Sequence, residues 1–399
     1  MQSIRKLYKI GRGPSSSHTM GPYNACLEIA SNYKEANKII VTLYNSLALT
    51  GDGHLTYEVI KDTLKDYEVV FKTKIDVIKH PNAIKFEIFK DDDLIDIVRY
   101  KSIGGGDILK NDETFEKKHI YPHKNFNEIK EYCLSKNIDL YQYVLEVEGN
   151  DITSYLHEVW VQMQDTIKIG LSKTGVLPGK LKVQRKANEL ITQKHENETD
   201  SMREYRLVSA YAFAVNEENA SGGLVVTSPT CGASGVLPAV LYYMYKDMGV
   251  SEEKIISSLA IGGLIGNIIK HNATISGAVG GCQAEVGSAC SMAAAAYASL
   301  FDSNIDKIEY AAEVALEHNL GLTCDPVDGY VQIPCIERNA VGAIRAMSAG
   351  QIAYFLSGSR KISFDMIVAT MLQTGLDMHP KYKETSEAGM AFFYRGFDI

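Results

Sequence analysis

The stretch "AIKFEIFKDDDLIDIVRYKSI" (83–103) decides how the front of this 399-residue chain is read. Ile84, Phe86 and Ile88 alternate with Lys85 and Glu87, the period of a strand with one buried face. "KDDD" (90–93) interrupts the pattern with turn-forming residues, and 94–103 resumes it. A β-hairpin satisfies both facts. Outward from it, "KIIVTLYNS" (38–46) and "VVFKTKIDVI" (69–78) carry the same β-branched and aromatic signature. "TYEVIKDTLKD" (56–66) between them reads as a helix. Pro22, Ala25, Cys26, Ile29, Ala30 and Tyr33 make one apolar helical face nearer the start. An N-terminal α/β domain with a mainly antiparallel sheet is expected over 1–140.

Strand signals fade beyond that point. Helical periodicity runs through 152–172, 202–219, 235–248, 251–271, 285–300, 304–318, 338–356 and 363–377. "SACSMAAAAYASL" (288–300) is small and apolar all round, which suits the centre of a bundle. The expected class is therefore α+β, with an all-α domain over 141–399. No internal repeat or low-complexity tract is visible.

Bulk composition narrows the function classes. Apolar residues make up 45% and charged residues 23%, an ordinary globular balance. A net charge of −8 argues against nucleic acid or an anionic membrane as the main partner and favours a small molecule. "MQSIRKLYKI" has no apolar export core behind its basic residues, and "LAIGGLIGNII" (259–269) stops at Lys270 and His271, too short to span a bilayer. A cytoplasmic location is expected. Two domains on one short linker suggest a homodimer.

Seven cysteines, an odd number, argue against a disulfide framework. Cys282, Cys324 and Cys335 stand beside glycine or proline in loops or helix ends, spaced C-x41-C-x10-C. Spacing alone leaves two readings open: buried structural thiols or a metal set. Helix N-termini and nearby basic groups are expected to lower these thiol pKa values. Three thiolates lack the fourth ligand of a closed structural zinc site. They suit a [4Fe–4S] cluster with one open iron, a Lewis acid fitted to dehydration rather than electron transfer. Cys290, inside the small-residue helix, reads as packing. Cys26 and Cys133 read as ordinary positions, and Cys231 stays ambiguous.

A second feature is "GRGPSSSHTMGP" (11–22). Ser15, Ser16, Ser17 and Thr19 offer capping hydroxyls and backbone N–H groups before a helix, an arrangement that binds carboxylate. His18 adds a group that moves a proton near neutral pH, and His54 stands at a second glycine-rich bend. An ordinary helix cap with an exposed histidine is the bland alternative.

Taken together these blocks resemble the iron–sulfur-dependent L-serine dehydratases in their single-chain form. The opening motif, "SLALTGDGH" (46–54) and "SIGGG" (102–106) resemble its β-type domain. "GVLPG" (175–179), "AVNEENASGG" (214–223), "SGAVGGCQAEVGSACSMAAA" (276–295), "EHNLGLTCDPVDGYVQIPCIERNA" (317–340) and "KYKETSEAGMA" (381–391) resemble its α-type domain. The resemblance implies conversion of L-serine to pyruvate and ammonia without pyridoxal phosphate. It implies Cys282, Cys324 and Cys335 as ligands of a [4Fe–4S] cluster, with substrate at the fourth iron. His18 and His54 are the catalytic candidates, completing the active site or forming a separate serine site. Ser15, Ser16, Ser17, Thr19, Asn272, Ser276 and Arg338 are candidates for holding substrate, together with Thr274, Glu337 and Asn339. Arg338 could equally pair with Glu285 or Asp325. Two departures stand out. Some family members end in a cysteine that covers the fourth iron, whereas this chain has none after Cys335, and its first domain is short between "LTGDGH" and "SIGGG". L-threonine or L-cysteine as substrate, and a cluster-free regulatory homologue, are the alternatives.

Overall fold

The computed structural model describes residues 1–74, 80, 82–111, 113, 118–301, 304–356 and 360–396. They form two compact units, one of residues 11–117 and one of residues 1–10 with 118–399.

The first unit is a two-layer α/β structure. Its strands are β1 (Lys38–Tyr44), β2 (Glu68–Lys74), β3 (Ala83–Lys90), β4 (Asp93–Gly104) and β5 (Asp107–Lys110), in the order β2-β1-β3-β4-β5. The β1–β2 pair is parallel and the other three pairs are antiparallel. The parallel pair needs a crossover, supplied by helix α2 (Thr56–Thr63). The hairpin read from 83–103 is β3–β4, with Phe86 opposite Val98 and Asp91 in a left-handed turn conformation (φ 55°). Residues 75–78 of the expected second strand lie outside the described residues. The strand β5 escaped the sequence reading, because four residues are too few to show alternation.

Helix α1 (Gly21–Asn32) places Ala25, Cys26 and Ile29 on one sheet face. They pack with Ile39, Val41, Leu43, Ile84, Phe86, Ile88, Val98 and Tyr100, and with Val59 and Ile60 of α2. Cys26 is a core residue with no exposed surface.

The second unit is almost entirely helical, so the α+β class expected from sequence is the one observed. Its main helices are α3 (Asp151–Ser172), α4 (Asp200–Ala220), α5 (Val236–Lys246), α6 (Glu252–Asn272), α7 (Ser288–Ser299), α8 (Ile305–Glu317), α9 (Cys335–Phe355) and α10 (Phe364–Asp377). Side chains of Thr199, Ser251, Asn304 and Ser363 cap the starts of α4, α6, α8 and α10. Helix α7 is buried from Ser288 through Ala298 and touches α5, α6, α8 and α9. Helix α9 starts at Cys335, three residues before the expected start, because Pro334 supplies the break ahead of it. Shorter helices at Phe126–Lys136 and Leu140–Glu148 were not anticipated.

Glycines bring the helices together. A Cβ on Gly170 would lie 2.3 Å from the Ala214 carbonyl oxygen, and one on Gly350 would lie 2.5 Å from the Tyr297 ring. The N-terminal residues belong to this packing: Ile4, Leu7 and Tyr8 are buried, and Tyr8 Oη donates to the Leu259 carbonyl (2.9 Å).

Replacing Gly170 by Ala sets helix propensity, worth about 1 kcal/mol in favour, against a backbone clash. The clash is with main chain and should win, destabilising by about 1–3 kcal/mol. The urea midpoint of Gly170→Ala is expected to fall, and a rise would mean that α3 and α4 can part at little cost.

Candidate active site

Two of the three cysteines stand at helix starts that α7 and α9 bring into one region. Cys282 follows the short helix Gly277–Gly280 and its capping residue Gly281, and precedes a π-helical turn, Gln283–Gly287, that runs into α7. Gly281 adopts a φ of 74°, and a Cβ there would meet the Leu322 carbonyl oxygen at 2.9 Å. Cys335 is the first residue of α9. Cys324 lies in a loop clasped by main chain. Its N–H donates to the Tyr382 carbonyl (2.7 Å), and its carbonyl accepts from the Glu384 N–H (2.7 Å).

All three thiols are held in the neutral form. Burial pushes Cys282 up to about 11, with Glu285 adding to the shift and Arg338 opposing it. Burial is also the largest cause for Cys324, raised well above the usual thiol range by Glu384, Glu285, Cys282 and Cys335 in addition. Cys335 is raised in the same way by burial, Cys282 and Glu285. The lowered thiol pKa values expected from sequence are therefore not found. Helix ends and Arg338 are present, but desolvation outweighs them. Cys324 and Cys335 each feel the charge of Cys282, so the three thiols share one region. A bound metal would reverse the balance, because a coordinating thiol loses its proton.

Around the thiols lie two carboxylates and one guanidinium. Glu285 Oε1 accepts from Thr230 Oγ1 (2.8 Å), while Oε2 lies 4.0 Å from Cys324 Sγ. Ligand atoms of Glu285, Cys324 and Glu384 all lie within 4.8 Å of one another. Glu384 is exposed as a residue, yet its carboxylate turns toward Gly277, where a Cβ would meet Glu285 Oε2 and Glu384 Oε1 at 2.6 Å each. Burial, then Glu285, pushes Glu384 up to about 8. Arg338 Nη1 donates to the Thr323 carbonyl (2.5 Å), and Nη2 lies 3.5 Å from Asp325 Oδ1. The guanidinium also lies close enough to Cys282 for the two groups to influence each other electrostatically. Of the two pairings considered from sequence, Asp325 is the one formed.

The other candidates in this unit are placed differently. Asn272 Nδ2 donates to the Lys124 and Ile268 carbonyls (2.7 and 3.1 Å). Ser276 precedes Gly277, and its N–H donates to Thr274 Oγ1 (3.1 Å). Asn339 is a clip: Nδ2 donates to the Gly232 and Cys335 carbonyls, and Oδ1 accepts from the Gly235 N–H. Glu337 pairs with Lys186 (3.0 Å). Cys290 Sγ contacts the Gly342 carbonyl (3.2 Å), a packing role between α7 and α9. Cys231 is buried, its thiol pushed up by burial and by Glu285. Glu384 was missed by the sequence reading. Only its place in "KYKETSEAGMA" marked it, and nothing local to that stretch connects it with Cys324.

The first unit gathers its own polar group. Ser15 Oγ accepts from the His18 N–H (3.2 Å), and the Ser15 carbonyl accepts from Thr19 and Met20 N–H. Those donors are thus engaged, and fewer remain for a carboxylate than the sequence suggested. The Ser16 carbonyl accepts from the Gly106 N–H (3.1 Å). The Ser17 carbonyl accepts from Ser102 Oγ (2.7 Å). His18 is buried, not exposed as the bland reading held. Its Nε2 lies 2.8 Å from Ser46 Oγ and its Nδ1 2.9 Å from Ser17 Oγ. The His54 ring stacks on it at 4.6 Å, and Thr19 Oγ1 donates to the His54 carbonyl (2.6 Å). Burial, then His54, lowers the His18 pKa well below the usual value, so the imidazole is neutral at pH 7. A neutral ring donates through one nitrogen and accepts through the other.

Comparison with known proteins adds a finding over nearly the whole chain. The family profile described as serine dehydratase alpha chain matches residues 55–391, and that of the serine dehydratase beta chain matches residues 3–68. An L-serine dehydratase of Haemophilus influenzae is 38% identical, over 98% of this chain and 99% of its own length. L-serine dehydratase 2 of Escherichia coli is 36% identical, over 98% of each chain. An L-serine dehydratase of Helicobacter pylori is likewise 36% identical over 98% of each. These alignments run over 451, 448 and 447 positions, so the relatives carry residues that this chain lacks. Among the described residues, no helix is long and apolar enough to cross a membrane.

The lowered His18 pKa has a consequence for stability. Between the folded pKa and the unfolded value near 6.5, the unfolded chain binds the extra proton. Stability is then present above pH 6.5 and lost below it, by at most about 1.4 kcal/mol per pH unit. Urea midpoints at pH 7.0 and 5.5 should differ more for the native chain than for His18→Gln. An equal drop in both would show that His18 carries no such penalty.

Proposed function

This chain belongs to the serine dehydratase family, and from that membership we propose that it converts L-serine to pyruvate and ammonia with a [4Fe–4S] cluster on Cys282, Cys324 and Cys335. The observation that carries the reading is the convergence of three mutually interacting thiols, two buried and one half-buried, from three separate segments. Among the described residues the three sulfurs do not all lie within 4.8 Å of one another, closer spacing being what a single ion needs. Thiolates on separate irons, with one iron left to a non-protein ligand, suit that donor set. When bound, such a cluster supplies Lewis-acid polarisation of the substrate hydroxyl.

The chain's own residues supply the rest. Arg338, braced by the Thr323 carbonyl and Asp325, places a cation beside Cys282, offsets thiolate charge there and is our candidate for the substrate carboxylate. Ser276 stands next to Gly277, beside the Glu285 and Glu384 carboxylates, and is a second candidate. The side chain of Asn272 is engaged by two carbonyls, so its part is to hold the chain before Ser276. In the first unit, Ser15, Ser16, Ser17 and Thr19 shape the nest around His18. His18 and His54 are proposed to handle the proton, a role a neutral imidazole can fill at pH 7. Loss of the α-proton and hydroxide removes one water. The aminoacrylate that remains tautomerises to an imine, and hydrolysis returns the water and frees ammonia. An oxidant-sensitive cluster and free cysteines throughout suit a reducing cytoplasm, with the enzyme as a homodimer.

The test is anaerobic reconstitution followed by iron, sulfide and pyruvate assays on one sample. About four irons per chain and pyruvate from L-serine are expected. Cys282→Ala, Cys324→Ala and Cys335→Ala should each lose both. An intact cluster without pyruvate from L-serine would overturn the substrate, and parallel rates on L-threonine and L-cysteine would then reassign it. Arg338→Lys should keep its iron but lose at least about tenfold in kcat/KM, since a bidentate guanidinium is not replaced by an ammonium. His18→Ala should keep its iron and lose kcat. Unchanged kcat with an altered serine dependence would move His18 to a regulatory site.

A further inference from the structure

The carboxylates of Glu285 and Glu384 have no part in the reaction described above. Both are aimed at Cys324. Thr230 fixes one oxygen of Glu285 (2.8 Å) and leaves the other facing the sulfur at 4.0 Å. Glu384 is brought there by its backbone. Its φ of 60° is a left-handed conformation uncommon outside glycine, and its N–H is bonded to the Cys324 carbonyl. A non-glycine residue held in that region marks a position where the surroundings over-determine the chain.

Space is kept for the pair as well. A Cβ at Gly277 would stand 2.6 Å from an oxygen of each carboxylate, so glycine leaves their meeting point open. The nearby cation, Arg338, is turned to Asp325, Thr323 and Cys282. Among the described residues, neither Glu285 nor Glu384 has a salt-bridge partner. Two carboxylates and a thiol thus converge within 4.8 Å with no counter-ion. One sulfur and two or more oxygens form a mixed donor set for a divalent ion of borderline softness, such as ferrous iron, zinc or cobalt.

We propose that Glu285, Cys324 and Glu384 form a single-ion site for divalent iron or a like metal, filled when the cluster is absent. Binding transfers the Cys324 thiol proton to solvent and forms the metal–sulfur bond, with no change of oxidation state. The site shares Cys324 with the proposed cluster, so the two occupants exclude each other. That exclusion rests on the cluster reading, whereas the ion site itself does not. An ion here would hold the Cys324 loop and the 380–389 segment together before the other two thiols are engaged.

The experiment uses the full-length, cluster-free protein under anaerobic conditions, titrated with Co²⁺ and followed by its absorption spectrum. One Co²⁺ per chain is expected, with charge-transfer intensity of a single thiolate, displaced by Zn²⁺. Glu285→Gln and Glu384→Gln should each weaken binding at least tenfold, and Cys324→Ala should abolish it. Cys282→Ala and Cys335→Ala should leave it unchanged. Circular dichroism and thermal midpoints check that each variant is folded, and the two near-isosteric Gln variants carry the decision if an alanine variant is not. Intensity of two or three thiolates, loss of binding in Cys282→Ala or Cys335→Ala, indifference to both Gln variants, or no binding at all would each overturn the site. None of these outcomes bears on cluster content or pyruvate formation by the reconstituted native protein, so the two readings fail separately.

Discussion

Close approach of helices around α7 is the constraint on which the second unit depends. Serine, alanine and cysteine fill α7, and glycines face it where neighbours cross. Gly350 meets Tyr297, Gly262 comes near the Met292 carbonyl, and Gly342 lies against Cys290 Sγ and Val286. Larger residues at these points would push α6 and α9 outward. Because α7 and α9 pack closely, the turn that carries Cys282 and the helix start at Cys335 are brought to the same region. Packing of small residues is thus what positions chemistry at the helix ends.

The site itself is ruled by desolvation. Its thiols and its two carboxylates are all shifted toward the neutral form, and burial is the first cause in each. Arg338 offsets only part of this, since Asp325 takes a share of its charge. Buried acids and thiols with so little compensation are costly unless something positive joins them. The loop around Cys324 is held from the C-terminal segment at several points. Met390 N–H donates to Asp325 Oδ2 (2.7 Å), and Ser386 Oγ donates to the Pro326 carbonyl (2.5 Å). Gly389 is required beside Asp325, because a Cβ there would fall 1.9 Å from Oδ2. Asp325 in turn braces Arg338, so the closing segment and the guanidinium are linked through one carboxylate.

In the first unit, hydroxyls do what charges do in the second. Ser17 and Ser46 flank the two ring nitrogens of His18, and Thr56 Oγ1 donates to its carbonyl (2.7 Å). Gly21 allows Ser102 to reach the turn, since a Cβ at Gly21 would lie 2.0 Å from Ser102 Oγ. Among the described residues the buried imidazole has no counter-ion, and it stays neutral. A stretch that looked like a helix cap offering donors has instead spent three N–H groups on Ser15.

Sequence by itself determined the element types. Period-two alternation in 83–103, helical periodicity beyond 150 and the small-residue run at 288–300 all report burial along a single element, which local spacing encodes. It also marked Cys282, Cys324, Cys335, His18 and Arg338, because their neighbours form long recognisable blocks. It could not show which partner Arg338 takes, that Asn339 is a clip, or that the thiols are raised rather than lowered. These depend on groups far apart in the chain. Glu384 reaches Cys324 only because a backbone clasp folds the C-terminal segment onto the loop, and Glu285 meets both only because Gly277 leaves room. Distance, desolvation and shared space between remote segments are properties of the tertiary structure, and they decided the electrostatics of the site.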